Sequence, residues 1–411
     1  MKIQRCKGMR DMSPAEMTVF HLVEEICRDC FLKWGYQEVR TPTIEYLHLF
    51  TSAGTLTPGM LGKVYSFLDW DGWSGERVVL RPDGTIPVAR LYTEKMQEQG
   101  LARLFYAANM FTFEENGEKT RERWQCGAEL IGAGSAVADA ELLALSSEIL
   151  QKLGLKGVEL RLSHAGLIKA LLEKIGLSPE EQHKLFDSIL DGDADALARV
   201  SRESPELGGT LLSLLKLKGK SPGFLRNQLA LLRQTAPEIC APLEDFLKTV
   251  AVLDELGIKY QINIASGTGF EYYTGIIFQY FTGREKIGGG GRYDALIPSM
   301  GGGNAPASGF ALYLDRLMTL VKPASFILTS PLKVLVKALS PDAVKEAFNA
   351  AAGLRKAGFI AELDLDGRPA DWTLEVKSGG ALTLVNKAES VKSKIENINA
   401  AVALLEAPGA G

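Results

Sequence analysis

Several residues in this chain have types and spacings that could do chemistry. Glu129 and Gln125 lie four positions apart in a strand-like run, TRERWQCGAELIG. Strand side chains alternate, so the two point to one face. Glu129 can accept hydrogen bonds from an ammonium or an imidazole, and Gln125 can both donate and accept. Tyr272 and Tyr273 are neighbours, so alternation lets only one of them present its hydroxyl to a site. Gly288 to Gly291 would let a ligand approach the backbone closely. Cys27 and Cys30 form a C-x-x-C pair, but no second ligand pair stands near them and zinc sites use about four ligands. Inside FHLVEEICRDCFLKWG they read as ordinary helix positions, and no metal is expected. Each of the other residues also has a plain reading when taken singly: a strand glutamate is usually solvated, and a tyrosine pair usually packs in a core.

The elements that must position these residues follow from pattern. Ser13-Pro14 followed by Glu16 predicts a helix start, with the helix running to about Lys33 and stopping at Gly35. YQEVRTPTIEY reads as a strand interrupted by Pro42, and VYSFLDWDGWSGERVVLRP as a hairpin. TIPVARLYTEKM reads as a helix. RLFYAANMFTFEEN and TRERWQCGAELIG form a second hairpin around Asn116 to Lys119. A strong helix at AVADAELLALSSEILQKLG precedes the strand VELRLSH. From about 167 to 256 apolar residues recur three and four apart, which predicts an almost wholly helical insertion. YQINIA and YYTGIIFQYF return to strand, and ASGFALYLDRLMTLV reads as a helix. Helices set beside antiparallel hairpins predict an α+β core. Residues 323–331 read as a linker, and 332–411 as a small α/β domain that lacks a clear final strand–helix unit and has a fraying tail.

Composition narrows the class. The chain has 411 residues, a formal net charge of −4 and 46% hydrophobic residues. That length allows about two or three domains. No run of about 18 apolar residues exists, so no membrane span is expected. MKIQRCKGMRDMSP lacks the apolar core of a signal peptide, which predicts a cytoplasmic protein. Cys6, Cys27, Cys30, Cys126 and Cys240 are too few for a disulfide scaffold. No basic face or tail is evident, so a nucleic-acid partner is not expected.

In this order the segments resemble the class II aminoacyl-tRNA synthetases, and specifically the histidyl enzyme, over roughly residues 5–322. KGMRDMSP resembles that family's N-terminal signature, and GYQEVRTPTIEY its first class motif, which in the family sits at a dimer interface. LRPDGTIPVAR resembles the substrate loop, and RLFYAANMF through WQCGAELIG the second class motif. FEYYTG and GGGGRYDAL resemble two histidyl signatures, and GFALYLDRL the third class motif. The resemblance implies a class II antiparallel sheet with flanking helices. It also implies a histidine pocket formed by Asp83, Gln125, Glu129 and either Tyr272 or Tyr273. Asp83 stands where the family has a carboxylate one methylene longer. Arg316 matches the family's ATP-binding arginine and could be a remnant of a nucleotide site, or simply a helix residue packed on the sheet.

Two departures matter for function. Thr112 and Thr268 stand where the family's motifs carry arginines that stabilise charge during adenylate formation. Threonine offers neither charge nor a guanidinium fork, and losing one such positioned donor commonly costs about 10²–10³ in rate. The post-linker region is also short for an anticodon-binding domain. One known set of relatives keeps this core without aminoacylation: the regulatory subunits of ATP phosphoribosyltransferase, which act in histidine biosynthesis. That likeness implies a non-catalytic chain without cofactor. Its partner would be a short-form ATP phosphoribosyltransferase catalytic subunit, its own dimer would form through the first motif, and L-histidine would be its effector. The alternatives are a divergent but functional histidyl-tRNA synthetase, or a paralogue that senses amino acids or binds RNA.

Overall fold

Helix formation begins where the sequence supplies its own cap. In the computed structural model the Ser13 hydroxyl accepts from the Glu16 amide at 3.3 Å, and the Glu16 carboxylate accepts from the Ser13 amide at 2.7 Å. Such a box contributes about 1 kcal/mol, and Pro14 suits the first turn. The helix it starts, α1 (Pro14–Lys33), buries Phe20, Val23, Cys27, Cys30 and Phe31. The structure describes residues 3–52, 64–70, 75–112, 120–173, 237–264, 273–323, 331–387 and 391–406, with isolated positions at 62, between 178 and 233, and at 326. The chain forms two units, Met1–Lys322 and Pro323–Gly411.

The first unit is built on strands β1 (Gln37–Glu38), β2 (Ile44–Tyr46), β3 (Ser66–Trp70), β4 (Gly75–Leu80), β5 (Ala102–Phe111) and β6 (Glu122–Ile131). They continue with β7 (Val158–His164), β8 (Lys218–Gly219), β9 (Gln261–Asn263), β10 (Ile276–Thr282), β11 (Glu285–Arg292) and β12 (Ala307–Tyr313). Nine of these form one sheet in the order β1-β5-β6-β12-β11-β10-β7-β9-β8, while β2, β4 and β3 form a separate small sheet. In the large sheet β1 pairs with β5 and β7 with β9 in parallel, and the other pairings are antiparallel. On the helix-covered face Phe31 of α1 stacks on Phe105 at 4.9 Å and lies beside Phe310. Among the described residues the unit also has helices α2 (Leu47–Ser52), α3 (Thr85–Lys95), α4 (Ala136–Lys152), α5 (Ala165–Glu173), α6 (Cys240–Glu255), α7 (Leu296–Ser299) and α8 (Leu314–Leu320). Helix α4 packs on β12, and α6 packs on α4.

Three expectations change here. ASGFALYLDRLMTLV is not one helix: Ala307–Tyr313 is a strand between β6 and β11, and helix begins only at Leu314. A short strand buried on both faces carries a continuous apolar run that periodicity alone does not separate from a helix. Lys218–Gly219, inside the stretch read as helical, pairs with Ile262–Asn263 at the sheet edge. The second unit does have a final strand–helix pair, β17 (Val391–Ile395) and α10 (Ile398–Leu405). Asn397 caps α10 by accepting from the Ala400 amide at 3.0 Å, and Ala401 and Leu405 are buried.

The rest of that unit comprises β13 (Lys333–Ala338), α9 (Val344–Lys356), β14 (Ile360–Leu363), β15 (Trp372–Val376) and β16 (Leu382–Asn386). The sheet order is β14-β13-β15-β16-β17, parallel across the first three strands and antiparallel beyond. A parallel pair needs a crossover, and α9 supplies it between β13 and β14. Val334, Val336, Leu354, Leu374 and Leu384 form the core beneath it.

Candidate functional site

The site grows from a row of cross-strand partners. Glu129 on β6 faces Gly309 on β12, which in turn faces Gly291 on β11. Two residues along, Gly127 faces Ala311 and Ala311 faces Gly289. Alternation puts all six on one face, so the floor beside Glu129 is nearly bare backbone. A Cβ at Gly309 would overlap Glu129 Oε2, so the carboxylate occupies space that only glycine leaves open. A Cβ at Gly291 would meet the Tyr273 ring at 2.8 Å, and one at Gly127 would overlap the Tyr106 ring. The two rings therefore occupy space that only glycine leaves open. The other two glycines of the run serve packing on the opposite face. A Cβ at Gly288 would strike Leu312, and one at Gly290 would strike Phe310, each at 2.6 Å.

Glu129 is 1% exposed. Its Oε1 accepts from the Thr85 hydroxyl at 2.8 Å, and its Oε2 accepts from the Tyr293 hydroxyl. Burial lifts its pKa to about 8 against the pull of those two donors, with Asp83 adding repulsion. Asp83 precedes α3, and its Oδ1 accepts from the Ile86 amide at 2.9 Å. Burial raises Asp83 to about 6, while the amides of Ile86, Thr85 and Gly84 hold it down. Gln125 donates to the Tyr106 hydroxyl at 3.3 Å. Burial raises the Tyr273 phenol well above its ordinary range, and Tyr313, Asp83 and Glu129 add to the effect.

The structure thus gathers Asp83, Gln125, Glu129 and Tyr273 around one trough. Tyr272 and Thr268 lie outside the described residues. Arg316 of α8 pairs with Glu285 of β11 at 2.7 Å, and both side chains are more than a third exposed. Thr112 pairs its amide with the Arg121 carbonyl at 3.0 Å. By alternation along β5 and just past its end, Thr112 shares the face of Tyr106. Arg81 of LRPDGT spends its guanidinium on hydrogen bonds within the protein. It donates to the Thr41 and Pro42 carbonyls at 2.9 and 3.1 Å and to the Asn109 carbonyl at 2.9 Å, which ties the first-motif loop to β5. Among the described residues, no group of three His, Cys, Asp or Glu could hold a metal, and no helix is long and apolar enough to cross a membrane.

Sequence reasoning missed Thr85, Tyr106, Tyr293 and Gly309. Thr85 and Tyr293 stand inside the motifs LRPDGTIPVAR and GGGGRYDAL, and Tyr293 follows Gly291 by one alternation, so both were within reach. Gly309 was hidden by the helix reading of its strand. Tyr106 matters only because β5 pairs it with Gly127.

The histidyl-tRNA synthetase family profile matches residues 8–317. A relative from Dehalococcoides mccartyi (strain ATCC BAA-2266 / KCTC 15142 / 195), described as an ATP phosphoribosyltransferase regulatory subunit, is 49% identical over 98% of both chains. A histidine–tRNA ligase from Methanocaldococcus jannaschii is 35% identical over 89% of this chain and 86% of its own. A solved structure from Bacillus halodurans C, described as an ATP phosphoribosyltransferase regulatory subunit/histidyl-tRNA synthetase, superposes with a TM-score of 0.74. It is 24% identical, covers 90% of this chain and 95% of its own, and so shares the fold. With the class II sheet, the glycine-floored trough and full-length identity near one half, the chain belongs to the histidyl-tRNA synthetase family and, within it, to the ATP phosphoribosyltransferase regulatory subunits.

Proposed function

We propose that the chain is the non-catalytic regulatory subunit of a short-form ATP phosphoribosyltransferase, and that it holds L-histidine as effector in the trough around Glu129. The observation that carries this reading is an asymmetry. The amino-acid end keeps Glu129 and Asp83 buried over a bare floor, while threonine stands at both positions where the family's adenylate chemistry uses arginine. A buried carboxylate is stabilised by a cation, and a ligand ammonium is costly to bury without an acceptor. The two needs match. Full-length identity to proteins described as regulatory subunits supports the choice over a working ligase. A pyrophosphate-exchange assay with histidine and ATP tests the loss of catalysis. No exchange above background is expected, and exchange at a synthetase's rate would contradict the reading.

The chain acts as a homodimer through the first-motif region. The small sheet beside it leaves apolar surface open, with Tyr46 and Phe67 on one face and Leu68 and Trp70, the last 68% exposed, on the other. A two-fold contact would cover it. Sedimentation of the free chain at micromolar concentration is expected to give a dimer that Leu68→Glu weakens; a parent chain that sediments as a monomer would refute the dimer.

A further inference from the structure

The strand that carries Tyr293 has an anchoring problem. Gly288 to Gly291 offer no side chains to grip the strand, and glycine leaves backbone soft. Arg292 is the first residue after them that can hold it. Its side chain points away from the trough and is buried. Nε lies 3.2 Å from Asp139 Oδ1, Nη2 bonds Asp139 Oδ2, and Nη1 lies 2.9 Å from Asp245 Oδ2. Asp139 belongs to α4 and Asp245 to α6. Asp245 Oδ2 also lies 3.2 Å from His164 Nε2, at the end of β7. The Arg292 carbonyl accepts from the Thr274 amide at 2.8 Å and the Gly275 amide at 3.3 Å. Gly275 in turn accepts from the Ala165 amide at 2.8 Å, and Lys169 Nζ donates to the Tyr273 carbonyl at 2.7 Å.

One guanidinium therefore meets α4, α6 and, through Asp245, the end of β7. Its backbone fixes the segment that carries Tyr273. The next residue along, Tyr293, donates its amide to the Ala307 carbonyl at 2.7 Å and its hydroxyl to Glu129. A buried ion pair is weak evidence for stability, since desolvation offsets most of the attraction. What the pair does supply is a fixed geometry for the strand end.

We propose that Arg292, clamped by Asp139 and Asp245, is a positioning residue for the pocket: it sets the strand end from which Tyr293 reaches Glu129. The proposal rests on the reading of the trough as a histidine site. A double-mutant cycle on the full chain separates positioning from general stability. Asp245 is a third exposed, so Asp245→Ala removes one arm of the clamp without opening the core. Histidine binding is measured by calorimetry for the parent, Asp245→Ala, Tyr293→Phe and the double variant. Each single change is expected to weaken binding by about 5- to 20-fold, and the double variant to be no more than about twofold weaker than Tyr293→Phe. Additive losses, or an unchanged affinity in Asp245→Ala, would overturn the proposal. Amide exchange on the ligand-free proteins gives a second readout. Asp245→Ala should speed exchange at Tyr293, Thr274 and Gly275 more than at β5. If the parent binds no histidine, the pocket reading fails, and exchange alone decides: faster exchange at those three amides upholds positioning, and unchanged exchange rejects it.

Discussion

At the scale of the residue, Glu129 sets the physics of the site. In the folded protein its carboxyl holds a proton up to about pH 8, whereas the ordinary value is 4.5. Between those values the folded state binds more protons than the unfolded one, so this group's contribution to stability falls as pH rises through that window. Each tenfold difference in proton affinity between the two states is equivalent to about 1.4 kcal/mol. Glu129→Gln removes the penalty. Its melting temperature should exceed the parent's at pH 8 to 9 and the gap should close toward pH 5; a variant less stable at both ends would refute the raised pKa. The same carboxyl must ionise to accept a ligand ammonium. Histidine binding at pH 7 should therefore release close to one proton, read as a dependence of binding heat on the buffer's ionisation enthalpy. Glu129→Gln should weaken binding by about 10- to 100-fold, the equivalent of one charge-assisted hydrogen bond. Equal binding in the variant would take this carboxylate out of the pocket.

At the scale of the element, the trough exists because three neighbouring strands carry glycine along its floor. Gly309→Ala puts a methyl group where Glu129 Oε2 lies and 2.7 Å from the Ala128 carbonyl. Overpacking of this kind costs about 1–3 kcal/mol. Histidine binding should be lost while circular dichroism stays that of the parent; full binding in a stable Gly309→Ala protein would show that the carboxylate does not sit over β12. Much of this element was legible in the sequence. Alternation placed Gln125 and Glu129 on one face of β6, and the capping box placed the start of α1. The part that was not legible depends on partners distant in sequence. Nothing near Gly309 states that Glu129 crosses it, and a short buried strand such as Ala307–Tyr313 shows the same apolar run as a buried helix. The Arg292 clamp was hidden for the same reason, since Asp139 and Asp245 lie 153 and 47 residues from it.

At the scale of the whole molecule, the order of motifs in the sequence indicated a synthetase-like core, and the threonines at 112 and 268 motivate the proposal that this core no longer carries out adenylate chemistry. The second unit was harder to read, because β17 and α10 together span few residues and their apolar spacing resembles a frayed tail. In the proposed function the core has exchanged catalysis for control. Controlling a partner needs a ligand that distinguishes two states of the assembly. The direct measurement is the rate of ATP phosphoribosyl transfer by a short-form catalytic subunit from the same organism, alone and mixed with this chain, over a histidine titration. The rate is expected to rise on mixing and to fall again with histidine. In the Glu129→Gln mixture it should rise equally but need about 10- to 100-fold more histidine to fall. A catalytic subunit whose rate is the same with and without this chain would refute the exchange of catalysis for control.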